Sequence, residues 1–149
     1  MTLEQKITTD LKAAMKAKDD AAKRGIRAIK QAILLAKTDG SGEAIDEAKE
    51  IKMLQKLAKQ RKESITIFEA QGREDLAKVE REELEIIERY LPAQLSEEEI
   101  TTALKEIIAQ TGASSMRDMG KVMGMATKKF AGQADGKVVS GIVKKLLNS

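Results

Sequence analysis

The sequence predicts an all-α protein made of two small helical domains, and three observations support this fold class. Apolar residues recur at spacings of three and four along most of the 149-residue chain, which is typical of helices that bury one face. β-branched residues occur, but never in the sustained alternation of a half-buried strand. The single proline, Pro92, interrupts the helical pattern and indicates a domain boundary.

Four helices are predicted before this proline, over about residues 3–18, 21–37, 44–70 and 73–90. The apolar face of the first helix consists of Leu3, Ile7, Leu11, Ala14 and Met15. Asp20 is expected to cap the second helix. The buried stripe of that helix consists of Ile26, Ile29 and Ile33, with Leu34 as a further candidate. A turn over residues 38–42 leads to the third helix.

The third and fourth helices are predicted to form a long antiparallel hairpin. Apolar positions follow the third helix at coiled-coil-like spacing, and only Arg61 interrupts them. Gln71 and Gly72 end this helix in a tight turn, so that the fourth helix runs back along the third. The residues of the fourth helix expected to point inward are Leu76, Val79, Ile86, Ile87 and Tyr90.

The region around Pro92 separates an N-terminal domain over residues 1–91 from a C-terminal domain over residues 96–149. A proline disfavours the helical conformation of the residue before it, so the fourth helix should end near Tyr90. Ser96 and Glu99 have the spacing of a capping box, which predicts the start of the next helix. Three shorter helices follow, over about 97–110, 116–130 and 136–147. Ser115 and Asp135 are the expected caps of the last two.

The composition excludes several classes of active site. The chain contains no histidine, cysteine or tryptophan, so neither a Ser-His-Asp nor a Cys-His nucleophilic site can exist. Zinc sites built on sulfur or imidazole are excluded as well. We therefore expect a protein that acts by binding, without catalytic residues, metal or cofactor. The lack of cysteine, the charged N-terminus and the absence of a long apolar run predict a cytoplasmic protein that does not enter membranes.

The net charge of +3 is unevenly distributed. Residues 1–37 hold nine Lys/Arg against four Asp/Glu, and residues 111–149 hold seven against two, whereas residues 38–110 hold eleven against eighteen. Basic ends are compatible with a polyanion-binding surface, but charge alone favours the simpler interpretation that these residues cover solvated helix faces. The aromatic residues, Phe68, Tyr90 and Phe130, all fit apolar seams. A nucleic-acid ligand would therefore be read by its backbone and shape rather than by base stacking.

Two glycine-containing segments of the C-terminal half allow more than one interpretation. Residues 132–137 (GQADGK) resemble a phosphate loop at a helix start, but three residues rather than four separate the glycines. A turn capped by Asp135 is the favoured interpretation, with phosphate binding as the alternative. Gly120 and Gly124 lie inside a predicted helix, where glycine is unfavourable. Either another backbone or a ligand such as RNA should therefore approach them closely.

Two charged clusters of the N-terminal half are interpreted as solvent-exposed. Acidic residues follow the fourth helix at Glu80, Glu82, Glu83, Glu85 and Glu88. Without histidine they cannot form a di-iron site of the Glu-x-x-His type, so a solvated helix face is predicted. Residues 59–64 form a basic island on the third helix, for which solvent-facing ion pairs are expected.

Six segments together resemble the GatB/YqeY family, and specifically its stand-alone YqeY-like proteins, over essentially the whole chain. In the N-terminal half these segments are 14–19 (AMKAKD), 27–33 (RAIKQAI), 59–65 (KQRKESI) and 90–96 (YLPAQLS). The C-terminal half, through 119–124 (MGKVMG) and 132–137 (GQADGK), is similar to the tail domain of GatB, a subunit of the tRNA-dependent amidotransferase. The resemblance implies an N-terminal helical domain followed by a three-helix domain.

The resemblance also implies a function connected with tRNA. In the amidotransferase the tail domain contacts tRNA outside the catalytic centre, and the kinase-like and amidase parts that do the chemistry are absent here. A label of glutamine-dependent carbon–nitrogen ligase would come from the family name alone. We expect tRNA or another structured RNA, not DNA, as the partner. The expected RNA-contacting residues are Gly120, Lys121, Gly124, Lys128, Lys129, Gly136 and Lys137.

Two other functions remain open at the level of the sequence. The hairpin over about residues 44–90 could dock an aminoacylation or amidation enzyme, which would make the chain a protein-interaction module. The least favoured hypothesis is an enzyme that amidates misacylated tRNA by itself, because the sequence contains no recognisable set of catalytic residues. Partner, oligomeric state and domain orientation are not determined by the sequence.

Overall fold

A computed structural model describes residues 1–39 and 45–148, and every regular element in these ranges is helical. The prediction of an all-α protein is therefore confirmed. Residues 40–44, which include most of the predicted 38–42 turn and the expected start of the third helix, lie outside the described part. The α-helices of the described part are α1 Leu3–Ala17, α2 Asp20–Lys37, α3 Glu47–Ala70, α4 Glu74–Glu88, α5 Glu97–Thr111, α6 Met119–Lys129 and α7 Gly136–Asn148.

The chain separates into two compact units, one over Met1–Leu91 and one from Pro92 onward. Helices α1 to α4 lie in the first unit, and α5 to α7 lie in the second. Each unit has its own cluster of buried apolar side chains. Whether the two units also fold independently, as the domain limits 1–91 and 96–149 imply, stays a prediction. No helix of the described part is long and apolar enough to cross a membrane.

The core of the first unit receives a fully buried side chain from each of its four helices: Ile7, Ile29, Leu54 and Ile87. Helices α2 and α4 approach each other closely at Gly25. A Cβ atom at that position would lie 2.6 Å from Cβ of Ile86, which is well inside van der Waals contact. Glycine therefore occurs inside α2 because α4 passes directly over it.

The hairpin of α3 and α4 is antiparallel, as predicted. Its turn contains Gly72 in the left-handed conformation, with a φ of 69°. Two ion pairs fix the register, one between Arg61 and Glu83 and one between Arg81 and Glu69. The first pair lies further from the turn than the second, as two helices running in opposite directions require.

Several helix ends of the first unit differ from the prediction. Asp19, not Asp20, caps α2 by accepting the backbone N–H of Ala22 at 3.1 Å. This is possible because Lys18 takes the left-handed conformation and ends α1. Asp46 caps α3, which begins at Glu47. Tyr90 lies beyond α4, since the chain tightens into i→i−3 hydrogen bonds before Pro92.

Three side chains expected on buried faces of the first unit are exposed. Met15 is 54% exposed, and Leu34 is 49% exposed. Val79 on α4 is 38% exposed. All three match the helical spacing of the apolar residues, but they lie at the edge of the apolar face of their helix, where no neighbouring helix covers them.

The core of the second unit consists of one face from each of its three helices, including the fully buried Leu104, Val122 and Val143. The predicted capping box of Ser96 and Glu99 is present in both directions, with hydrogen bonds of 3.1 Å. The helix expected over 116–130 is divided. A short 3-10 turn over Met116–Asp118 follows Ser115, and α6 begins only at Met119.

Candidate nucleic-acid interface

The exposed face of α6 carries four of the residues predicted to contact RNA. Val122 and Ala126 form the opposite face and are completely buried against α5 and α7. Helical spacing of three and four therefore directs the remaining side of α6 to solvent. The four exposed residues that share this side are Gly120, Lys121, Gly124 and Lys128. They are called the α6 face below.

The two glycines of the α6 face have no internal packing role. Apart from the adjoining residues and the backbone of α6 itself, no atom of the described chain lies within 4 Å of the position that a Cβ would occupy at Gly120 or at Gly124. Close approach of another backbone, the first of the two explanations considered for these glycines, is therefore wrong for the described structure. What remains is a flat, uncovered stretch of helix backbone between lysines.

Lysines of the predicted site differ in their surroundings. Lys129 turns toward α5, where its Nζ lies 3.7 Å from Oε2 of Glu106. Lys121, Lys128 and Lys137 are exposed, and none of them forms an ion pair within the described ranges. The positive charge available for a phosphate therefore resides mainly in these three side chains, with a smaller contribution from Lys129.

Gly136 and Lys137 lie at the start of α7 rather than on the α6 face. Oδ1 of Asp135 accepts the backbone N–H of Lys137 at 3.0 Å, and the carbonyl of Asp135 accepts the N–H of Val139 at 3.1 Å. The favoured interpretation of this segment, a turn capped by Asp135, is thus present in the structure. A carboxylate at a helix N-terminus repels phosphate, so only the exposed side chain of Lys137 is suited to RNA.

Part of each charged cluster of the first unit belongs to an ionic network. Nε of Arg61 lies 3.0 Å from Oε2 of Glu83 and 3.6 Å from Glu80, and Nη2 of Arg24 lies 2.7 Å from Oε2 of Glu82. Arg61 and its two partners are largely buried. The prediction of solvent exposure was wrong for Arg61, Glu80 and Glu83, because α2, α3 and α4 converge here and bring opposite charges together. Lys62, Glu63 and Glu85 are exposed, as predicted.

The network explains why Arg61 occupies an otherwise apolar seam. Burial and the neighbouring Glu83 carboxylate raise the pKa of Glu80, while Arg61 acts in the opposite direction. Arg24 and Arg61 are held in ion pairs within the fold and are not available to a ligand. In the described part of the chain, no group of three or more His, Cys, Asp or Glu side chains could hold a metal ion.

Fold and surface together define a class: an all-helical protein whose second unit exposes a glycine- and lysine-bearing helix face. Comparison with known proteins identifies the family. The sequence model described as Yqey-like protein matches residues 4–147, so the chain belongs to the YqeY-like family. The resemblance drawn from the sequence motifs is thereby confirmed.

Curated relatives of this chain occur in yeasts under the name altered inheritance of mitochondria protein 41, mitochondrial. The protein of Meyerozyma guilliermondii is 37% identical over 119 residues, which is 78% of this chain and 62% of the relative. That of Lachancea thermotolerans is 38% identical over 109 residues, 71% of this chain and 58% of the relative. That of Vanderwaltozyma polyspora is 34% identical over 146 residues, with shares of 93% and 79%.

The chain thus spans less than two thirds of the length of the first two relatives. The names of these proteins also correct one prediction. They are called mitochondrial, which contradicts the cytoplasmic location expected from the sequence. The expectation failed because the absence of cysteine excludes only disulfides. It does not distinguish the cytoplasm from other compartments whose proteins do not need them.

Proposed function

We propose that this chain is an accessory protein that binds tRNA or another structured RNA, related to the tRNA-dependent amidotransferase but without its catalytic parts. The observation that carries the proposal is the α6 face. Gly120 and Gly124 lie uncovered inside a helix, between lysines that form no ion pair with the described residues.

The energetics of this face favour a ligand. Glycine inside a helix is less favourable than alanine by about 1 kcal/mol per position. No internal contact of Gly120 or Gly124 offsets this cost. A ribose-phosphate backbone lying against the helix would offset this cost. The missing side chains allow it to approach closely, and Lys121 and Lys128 bind its phosphates.

The aromatic residues support backbone and shape recognition over base stacking. Phe130 is buried in the second core. The hydroxyl of Tyr90 donates a hydrogen bond to Asp10, and Phe68 is half-buried on α3. Single-stranded RNA is usually held by exposed aromatic rings, which these residues do not provide. A folded RNA such as tRNA is therefore the better ligand.

The test is binding of the full chain to total tRNA, to mitochondrial tRNA and to duplex DNA at low and moderate salt. We expect a preference for tRNA and an affinity that falls steeply as salt rises, because phosphate neutralisation releases counterions. Equal binding to tRNA and duplex DNA, or no binding, would contradict the proposal.

A quadruple lysine variant locates the surface. Substituting glutamine at Lys121, Lys128, Lys129 and Lys137 should weaken tRNA binding and flatten its salt dependence, by about one unit of slope for each lost phosphate contact. The matched control carries the same charge change on the first unit, at Lys52, Lys56, Lys62 and Lys78, which are all exposed. An equal loss in both variants would show that net charge, rather than the α6 face, determines the affinity.

A protein-docking role for the α3–α4 hairpin is the second candidate function. Ile67 on α3 is 54% exposed, and an apolar side chain in that position is suited to a protein partner. Partner binding that withstands high salt and is lost on Ile67→Ser would favour this function over RNA binding.

A further inference from the structure

The first unit exposes apolar side chains on one side of the α1–α2 pair. Met15 on α1 and Leu34 on α2 are each about half exposed, and Leu11 is packed only partly into the core. Arg27 and Lys30 are exposed on the same helix as Leu34. These five residues are called the α1–α2 groove.

One ion pair shows that the two helices present these residues on the same side. Nζ of Lys37 lies 2.7 Å from Oε2 of Glu4, so the side of α1 bearing Glu4 adjoins the side of α2 bearing Lys37. Leu11 and Met15 follow Glu4 at helical spacings of seven and eleven. On α2, which runs in the opposite direction, the residues that precede Lys37 by three, seven and ten are Leu34, Lys30 and Arg27.

The charge of the groove is positive and uncompensated. Within residues 1–39 and 45–148, neither Arg27 nor Lys30 forms an ion pair. None of the described carboxylates on or next to these two helices pairs with either side chain: Glu4 pairs with Lys37, Asp20 pairs with Lys23, Asp10 accepts from Tyr90, and Asp19 caps α2. An incoming ligand would therefore have to supply the negative charge.

We propose that the α1–α2 groove docks an acidic amphipathic helix of a protein partner. Apolar side chains of that helix at i, i+3, i+4 and i+7 contact Leu11, Met15 and Leu34, and its flanking carboxylates pair with Arg27 and Lys30. Methionine suits such a surface because its flexible side chain adapts to different apolar partners.

A nucleic acid fits this groove less well. Phosphates would pair with Arg27 and Lys30, but they would leave Met15 and Leu34 exposed or desolvate themselves against apolar atoms. The groove belongs to the first unit, whereas the surface proposed for RNA belongs to the second. Protein docking here and RNA binding there are consequently separate properties that can fail separately.

The test uses a fluorescein-labelled designed peptide of about 18 residues, an amphipathic helix with leucine on one face and glutamate elsewhere. A companion peptide carries lysine in place of every glutamate. Fluorescence anisotropy with the full chain should show saturable binding of the acidic peptide and none of the basic one. Absence of saturable binding by the acidic peptide would overturn the proposal.

Two pairs of substitutions assign the binding to the groove. Met15→Asp combined with Leu34→Asp should reduce the affinity for the acidic peptide by at least about tenfold, and so should Arg27→Glu combined with Lys30→Glu. The control, Lys6→Glu with Lys16→Glu, changes the charge of α1 equally on its other exposed sides and should preserve binding. All positions are exposed, and circular dichroism verifies that each variant remains folded.

The outcomes separate the possible ligands. Equal loss in the control pair would show non-specific charge attraction and overturn the assignment to the groove. If tRNA displaces the acidic peptide and also protects the backbone amides of α1 and α2 from hydrogen exchange, the groove is a second RNA surface instead. Protection of α1 and α2 by the peptide but not by tRNA is the expected result.

Discussion

Among the exposed and buried glycines of this chain, Gly25 and Gly124 illustrate how one residue type has opposite uses. Gly25 is buried where α2 meets Ile86 of α4. At Gly124, no atom of another described element lies within 4 Å of the position that a side chain would occupy. The sequence shows both simply as glycines inside helices, because periodicity reports which face a residue occupies but not what lies opposite that face.

Gly25→Ala should destabilise the protein. The new methyl group would lie 2.6 Å from Cβ of Ile86, and relieving such overlap typically costs about 1–3 kcal/mol. This exceeds the gain of about 1 kcal/mol expected from the better helix propensity of alanine. Urea unfolding should show a lower midpoint for this variant, whereas Gly141→Ala, at an open helical position, should show a higher one.

Combined Gly120→Ala and Gly124→Ala substitution should have opposite effects on stability and on function. Each should stabilise α6 by about 1 kcal/mol, since alanine is the better helix former and the space is open. The affinity for tRNA should fall nevertheless, because the added methyl groups hold the RNA backbone away. Thermal unfolding and tRNA binding are measured on the same samples. Gly141→Ala, on α7, should raise stability while leaving the affinity unchanged.

At the scale of the helices, the sequence predicted their existence and type far better than their edges. Ser96 with Glu99 marked the start of α5 because the two capping residues are only three positions apart and act locally. Asp19 replaced Asp20 as the cap of α2 because Lys18 adopts a left-handed conformation, which no local pattern announced. Met15 matched the apolar stripe of α1 but remains exposed, since the position of α2 decides how far around α1 the core extends.

The charged side chains misinterpreted at this scale are Arg61, Glu80 and Glu83, which are largely buried rather than solvated. Arg61, as an interruption in an apolar seam, was a signal that a buried partner exists. The sequence could not identify Glu83 as that partner, because the two residues are brought together by the turn at Gly72 and by the register of α3 against α4.

Glu80 and Glu83 should respond differently to replacement by glutamine. Glu83 accepts a 3.0 Å hydrogen bond from Nε of Arg61, so Glu83→Gln should destabilise the fold by about 1–3 kcal/mol. The pKa of Glu80 is raised by burial and by Glu83, which means that its ionised form is disfavoured in the folded protein. Glu80→Gln should therefore be neutral or stabilising at pH 7.

The dependence on pH provides a second measurement for Glu80. Because its pKa in the folded protein lies above the ordinary value of 4.5, the folded state binds the proton more tightly than the unfolded state. The stability contributed by this group is present at acid pH and is lost as pH rises from 4.5 through the raised pKa. Urea unfolding across this range should show a smaller fall in stability for Glu80→Gln than for the unmodified chain.

At the scale of the whole molecule, the two compact units divide between Leu91 and Pro92, next to the proline and the Ser96 cap on which the predicted boundary rests; the domain limits themselves stay a prediction. The sequence located part of the candidate site as well: Gly120, Lys121, Gly124 and Lys128 share one face because α6 is helical. It predicted the Asp135 cap at the start of α7, because that contact is local. It did not separate Lys129 from the other lysines, because its partner Glu106 lies on α5 and the two meet only when the helices pack.

Separate expression of residues 1–91 and 92–149 should yield two folded proteins. The second unit has a buried cluster with side chains from all three of its helices, including Leu104, Val122 and Val143. A domain of about 60 residues buries only about 60% of the surface of its unfolded chain, so its stability should be modest. Circular dichroism should show helical spectra and cooperative thermal unfolding for both fragments, with the lower midpoint for 92–149.

If the C-terminal fragment is unfolded alone while the full chain unfolds in one transition, the two units form a single cooperative domain. If it folds, it should retain the tRNA affinity of the full chain, whereas the acidic peptide should bind only the fragment 1–91.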